Sequence, residues 1–163
     1  MARVRGEATN SDGARSRLFS TDLLYREIRE LAAIFDVSEQ GQALMAQLRA
    51  REARATRQAR LVLPEDLSMV WWFSSAEISG DAWVAGSNGA PGYIMNRIGA
   101  HNIIDTNEEW PAVSWERIAI ADPDVIVLGE MARRNFPADD VAQKIAFLEN
   151  DPVTRQMLSL IHI

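Results

Sequence analysis

From Pro64 onward the chain alternates short apolar runs with short helical patterns, and this alternation limits its fold more than any other feature. "MVWWFSS" (69–75) reads as a buried strand ending in small polar residues, and "AWVAG" (82–86) as a short extended segment. "PGYIMNRIG" (91–99) is helical, with Pro91 suited to the first turn and Gly99 to the C-terminal cap. "NIID" is another short strand. Ser114 caps "WERIAIAD", Pro123 ends it, and "VIVL" (125–128) is a buried strand. Asp139 and Asp140 open a last helix with Val141, Ile145 and Leu148 on one face. Such a succession predicts α/β layers around a largely parallel sheet.

Upstream the pattern is different. Residues 1–18 are polar and aperiodic and read as a tail or fragment end. From Thr21, a residue suited with Asp22 to a helix cap, Leu24, Ile28, Leu31 and Phe35 recur on one helical face. A second helix begins near Ser38 and runs to about Arg60. Leu44 and Leu48 give it an early apolar stripe, after which Arg49, Arg51, Arg54, Arg57 and Arg60 alternate with alanines. A helix so long and so polar either spans between two bodies or presents a solvated face.

The formal net charge of −6 argues against a nucleic-acid binder, which needs clustered Lys and Arg. The chain has no cysteine, so disulfides and thiolate metal sites are excluded. No stretch reaches the roughly 18 apolar residues of a membrane span, and the opening residues lack the apolar core of a secretory signal.

"GSNGAPG" (86–92) is the first candidate site. A Walker loop requires a Gly-Lys step, and this run has no lysine. A Rossmann fingerprint requires G-x-G-x-x-G after a long strand, and the spacing here is G-x-x-G-x-x-G. A tight turn and a ligand-facing loop remain. Trp71, Trp72, Phe73 and Trp83 bracket the run, and ligands of open α/β sheets bind beyond the carboxyl ends of strands. Trp71 and Trp72 must face opposite ways, so one packs under a helix while the other reaches the rim with Ser74 and Ser75. Arg133 and Arg134 follow the "VIVL" strand, where they either hold an anion or are neutralised by Asp139 and Asp140. Glu116 follows the cap Ser114, a favourable place for a carboxylate. His101 and His162 have no partner at metal-ligand spacing, and no nucleophile–base pair is evident.

Taken in order, "SEQGQALMAQLRAR", "VWWFSS", "WVAGSNGAPGYIMNRIGAHNIID", "SWERIAIADPDVIVL" and "FLENDPVTRQM" resemble one family over residues 21–157. It is that of ABC-transporter periplasmic substrate-binding proteins for ferric siderophores, haem and cobalamin, here the C-terminal half. Its most specific parts are G-x-x-x-x-I-x-x-x-I-G-x-x-N-I-I and S-W-E-x-I-x-x-x-x-P-D-V-I-V-L.

The resemblance implies two α/β lobes joined by one long helix, with ligand held between them. Residues 19–37 then end the first lobe and 38–60 form the connecting helix. Residues 61–157 form a three-layer C-terminal ligand-binding lobe, incomplete at both ends. "LSLIHI" (158–163) does not resemble the family's continuation and is expected to be non-native. The implied ligand contacts are Trp72, Ser74, Ser75, Trp83, Ser87, Asn88, Arg133 and Arg134, with Glu116 docking on the permease. The expected cargo is an iron chelate. No cofactor, resident metal, nucleic-acid partner or catalysis is expected, and the chain is expected to be a monomer. The full-length parent would be periplasmic or lipid-anchored outside the cell, its signal lying outside this chain. The rivals are a small α/β enzyme, a hydrolase or nucleotide-dependent transferase using Gly86–Gly92, and a purely structural interaction domain.

Overall fold

A computed structural model describes residues 18–157, so the readings of residues 1–17 and 158–163 lie outside the described residues. Helix α1 (Thr21–Ile34) and helix α2 (Ser38–Val62) form a hairpin. The turn between them passes through Asp36 in the left-handed region, at φ 54°. At 25 residues, α2 is roughly 37 Å long. Thr21 does not cap α1 but lies inside it, and Ser20 holds the cap position with no side-chain hydrogen bond. The expected apolar face of α1 finds little cover: Tyr25 and Ala32 are buried, while Leu24, Leu31 and Phe35 are exposed.

The sheet is built on β1 (Ser68–Ser74). One edge of β1 pairs in parallel with β5 (Val125–Leu128), from Met69 opposite Val125 to Trp72 opposite Leu128. The other edge takes two partners end to end. β3 (His101–Asn102) pairs in parallel near Ser68, and β2 (Ala82–Val84) pairs antiparallel near Trp72 and Ser74, across a bulge. Beyond β2 lies β4 (Ala112–Val113), again antiparallel.

The α/β class stands, but the sheet is mixed, not largely parallel. Chain length explains the reversal at β2. A parallel neighbour needs a crossover of about a dozen residues or more, and only residues 75–81 separate β2 from β1.

Alternation along β1 divides two cores. Val70 and Trp72 face α4 (Trp115–Ala121) and α5 (Val141–Asn150), packing with Trp115, Ile118 and Leu148. Met69, with the half-buried Trp71 and Phe73, faces α3 (Ala90–Ile98) and packs with Met95. Three layers result. Ser114 caps α4 through the Arg117 N–H, Asp140 caps α5 through the Ala142 N–H, and Gly99 ends α3 at φ 84°. No helix among the described residues is long and apolar enough to cross a membrane.

Candidate functional site at the carboxyl ends of the strands

The glycine run links β2 to α3, and the backbone donors at its start are already used. The Gly86 N–H donates to the Glu109 carbonyl at 3.2 Å, Ser87 to Thr106 at 2.9 Å, and Tyr93 to Gly89 at 3.2 Å. A phosphate cradle needs such donors free. The N–H groups of Gly86 and Ser87 are therefore not available to a phosphate. Glycine is required here by close packing. A Cβ on Gly86 would collide with the Glu108 carbonyl oxygen, and one on Gly92 would lie 2.6 Å from that of Ser87. The Asn88 carbonyl accepts from the Phe19 N–H at 2.9 Å, which anchors the chain leading into α1. Asn88 is buried, whereas Ser87 lines an open cavity of about 320 Å³ with Tyr93, Asn102 and Asp105.

Trp72 does not reach the rim. It has no exposed surface, donates from Nε1 to the Ser74 carbonyl at 2.8 Å, and meets Trp115 edge-on with centroids 4.6 Å apart. The face of β1 that carries Trp72 is the one covered by α4 and α5, which corrects its expected role as a ligand contact. Ser74 and Ser75 are buried as well. The Ser75 hydroxyl and the Trp115 Nε1 have no hydrogen-bond partner among the described residues. Trp83 is half-buried and stands edge-on to Phe136 at 5.0 Å. Trp110, which sequence reasoning passed over, is 42% exposed and packs against Phe73 at 3.9 Å.

Under this rim lies a polar plug. Lys144, the chain's only lysine, has no exposed surface, and its ammonium donates to the carbonyls of Trp72, Phe73 and Gly129. Those carbonyls end β1 and follow β5, so the plug closes the crevice between the two strands. Burial pushes the Lys144 amine down to about 8, against a smaller opposing pull from Asp139. Asp139 is equally buried and accepts from Ser74 Oγ at 2.6 Å and from the N–H groups of Asn135 and Phe136. Burial opposes its charge, yet these bonds and the Arg133 guanidinium outweigh it and hold the carboxyl well below the usual range.

Both arginines are ion-paired, as the neutralised alternative required. Arg133 meets Asp139, and Arg134 meets Asp140 and Glu130. Arg134 adopts φ 49°, a left-handed conformation uncommon outside glycine. The two side chains nevertheless remain about half exposed. Glu116 is exposed in the first turn of α4. Among the described residues no group of three His, Asp or Glu could hold a metal ion, and His162 lies outside them.

The periplasmic binding protein family matches residues 7–157. The chain belongs to this family. An ABC-transporter substrate-binding protein from Listeria monocytogenes superposes with a TM-score of 0.69 at 19% identity, over 87% of this chain and 52% of that one. A periplasmic haem-binding protein from Pseudomonas aeruginosa gives 0.63 at 21%, over 85% and 47%. A haem complex from S. aureus gives 0.65 at 15%, over 87% and 53%. The chain thus spans about half the length of these solved proteins. Among curated proteins no sequence matches. At these identities the likeness speaks to the fold alone.

Within this periplasmic binding protein chain, a second polar cluster fastens the long helix to the glycine loop. Glu52 on α2 accepts from Tyr93 on α3 at 2.5 Å and from Thr21 and Tyr25 on α1 at 3.3 Å, and pairs with Arg97 at 3.0 Å. Burial raises the Glu52 carboxyl, but the bond from Tyr93 and the charge of Arg97 bring it below its ordinary value. Tyr93 therefore ties the helix that opens on the loop to α2. Nothing in "GYIMNR" marks that role, because a tyrosine there also suits an ordinary helix face.

Proposed function

We propose that this chain is the ligand-binding part of an ABC importer for iron chelates, a ferric siderophore or related complex, and that it hands its cargo to a membrane permease. One observation carries the reading: Arg133 stands half exposed beside Phe136, which Trp83 meets edge-on, where the strands end. A guanidinium next to aromatic edges suits an anionic chelate with flat ligand arms, because Arg pairs with planar oxyanions and stacks on rings. Trp110, exposed and edge-on to Phe73 near the end of β1, adds a further aromatic face, and Ser87 opens on a cavity of its own. Family membership supports the carrier role, and the P. aeruginosa and S. aureus proteins are described as binding haem.

In this reading residues 19–37 and 38–60 end a first lobe and connect it to the ligand lobe at 61–157. Glu116, exposed on α4, docks on permease arginines. The protein works outside the cytoplasmic membrane as a monomer, with no bond made or broken in its ligand. Tryptophan fluorescence titrated with ferric siderophores, haemin and cobalamin tests it. Saturable quenching by one ligand, weakened roughly tenfold by Arg133→Ala, is expected. Saturable nucleotide binding, or no ligand in the panel bound by folded protein, would reject it.

A further inference from the structure

The loop after β5 carries two arginines in unequal situations. Arg134 bonds to Asp140 and Glu130, both of which reach solvent. Arg133 instead turns Nε and Nη2 to the fully buried Asp139, at 3.2 and 3.4 Å. Asp139 is itself fixed from several directions: by Ser74 at the end of β1 at 2.6 Å, by the Asn135 N–H at 2.8 Å and by the Phe136 N–H at 3.2 Å. Every one of these bonds favours a carboxylate over a carboxylic acid.

A guanidinium has five N–H donors. Two of Arg133's go to Asp139, and the others, on Nη1 and on the outer side of Nη2, take no partner among the described residues. Those donors form the outer fork, which matches a carboxylate in bidentate fashion. Phe136 supports the group from the side, with Arg133 Cζ 5.5 Å from its ring centroid. A long side chain normally loses rotamer freedom when a ligand orders it, which weakens binding, and an arginine held in advance avoids that loss.

We propose that Asp139 is a positioning residue, which holds Arg133 so that its outer fork receives a carboxylate or comparable planar oxyanion of the ligand. Arg133, and not Arg134, then sets the preference for anionic chelates. The inference rests on the ligand-binding reading above and identifies which group in that site selects the cargo.

Two measurements on the full chain separate the inference from the reading beneath it. The first is the side-chain 15N spectrum of arginine-labelled protein, with the Arg133 Nε–H assigned by its loss in Arg133→Lys. Exchange with water at least roughly tenfold slower than at the exposed arginines of α2 is expected, together with loss of that protection in Asp139→Asn. Exchange like that of the α2 arginines would overturn the positioning role. Should Asp139→Asn not fold, Ser74→Ala removes one anchor of the carboxylate. Faster Nε–H exchange there supports the role, and unchanged exchange counts against it.

The second measurement is affinity for ferric citrate and for haemin. Arg133→Ala and Asp139→Asn should each weaken binding roughly tenfold, the double variant no further, and Arg134→Ala less than about twofold. Additive losses, or a loss carried by Arg134, would overturn the proposal. If wild-type protein binds neither probe, the oxyanion-receiving role fails with the reading it rests on, while the exchange measurement still decides whether Asp139 holds Arg133.

Discussion

Residues 66–157 and the α1–α2 hairpin carry similar periodic apolar signals, yet only the first region buries them. In the lobe, Val70, Trp72, Ile118 and Leu148 are at most 1% exposed. In the hairpin, Leu31, Ile34 and Phe35 are 54, 74 and 71% exposed, and burial falls on Tyr25, Ala32, Gly41 and Met45. A period of 3.6 specifies a helix and which side of it is apolar. It does not supply the opposing layer. For α3, α4 and α5 the sheet is that layer, whereas among the described residues α1 lies chiefly against α2, and the contact falls beside its stripe.

Core truncation should separate the two regions most sharply. Trp72→Ala removes a fully buried ring that Trp115 and Phe147 pack against and Lys144 overlies, so a loss of about 3–5 kcal/mol is expected in urea denaturation. A loss below about 1 kcal/mol would mean the lobe core is no better packed than the hairpin.

The buried plug gives the next largest effect. Lys144→Met leaves the Phe73 and Gly129 carbonyls without their ammonium donor, at a cost of about 1–3 kcal/mol. It also has a pH signature. The amine titrates at about 8 in the folded chain against 10.5 ordinarily, so the unfolded chain binds this proton more tightly. The contribution of Lys144 to stability therefore rises as pH climbs from about 8 to 10.5, and Lys144→Met should lack that rise. Because the chain has one lysine, 15N-lysine labelling yields a single side-chain amine to titrate directly. Asp139 acts on the acid side. Its carboxyl lies below the ordinary 3.8, so its stabilisation is full above that value and is lost as pH falls below it. Melting curves of Asp139→Asn should accordingly fall less steeply with acid than those of the wild type.

These residues also show how far the sequence could be read. The succession of elements, the caps at Ser114 and Asp140 and the length of α2 follow from local signals, and those signals act over a few residues. Lys144 was legible in principle, because it sits three residues after Val141 and four before Leu148, on the apolar face of its own helix. The antiparallel β2 was legible from its short connection to β1. Asp139 was not: a capping carboxylate and a buried one look alike in sequence, and only the approach of Ser74 and Arg133 tells them apart. Trp72 failed for a related reason. Alternation establishes that Trp71 and Trp72 face opposite ways, but which face α4 and α5 cover depends on the rest of the chain.

Glu52 marks the border between the regions, and a smaller effect is expected there. Glu52→Gln keeps the shape and loses the charge that Tyr93, Thr21, Tyr25 and Arg97 share, for a loss of about 1 kcal/mol. Hydrogen exchange should quicken at the start of α1 and in α3 while β1 and β5 stay protected. Uniform quickening through the sheet would show that hairpin and lobe unfold as one unit.

The smallest effect belongs to the stripe of α1. Phe35 follows the last turn of that helix with most of its ring in water, so Phe35→Ser removes little buried area and should change stability by no more than about 0.5 kcal/mol. Denaturation at two protein concentrations, with sedimentation velocity alongside, makes the measurement sharp. A loss above about 1 kcal/mol, or one that grows with protein concentration, would mean that the stripe is covered in solution. The hairpin would then bury its apolar face as the lobe does, only against a layer supplied from outside the described residues, and the contrast between the two regions would disappear.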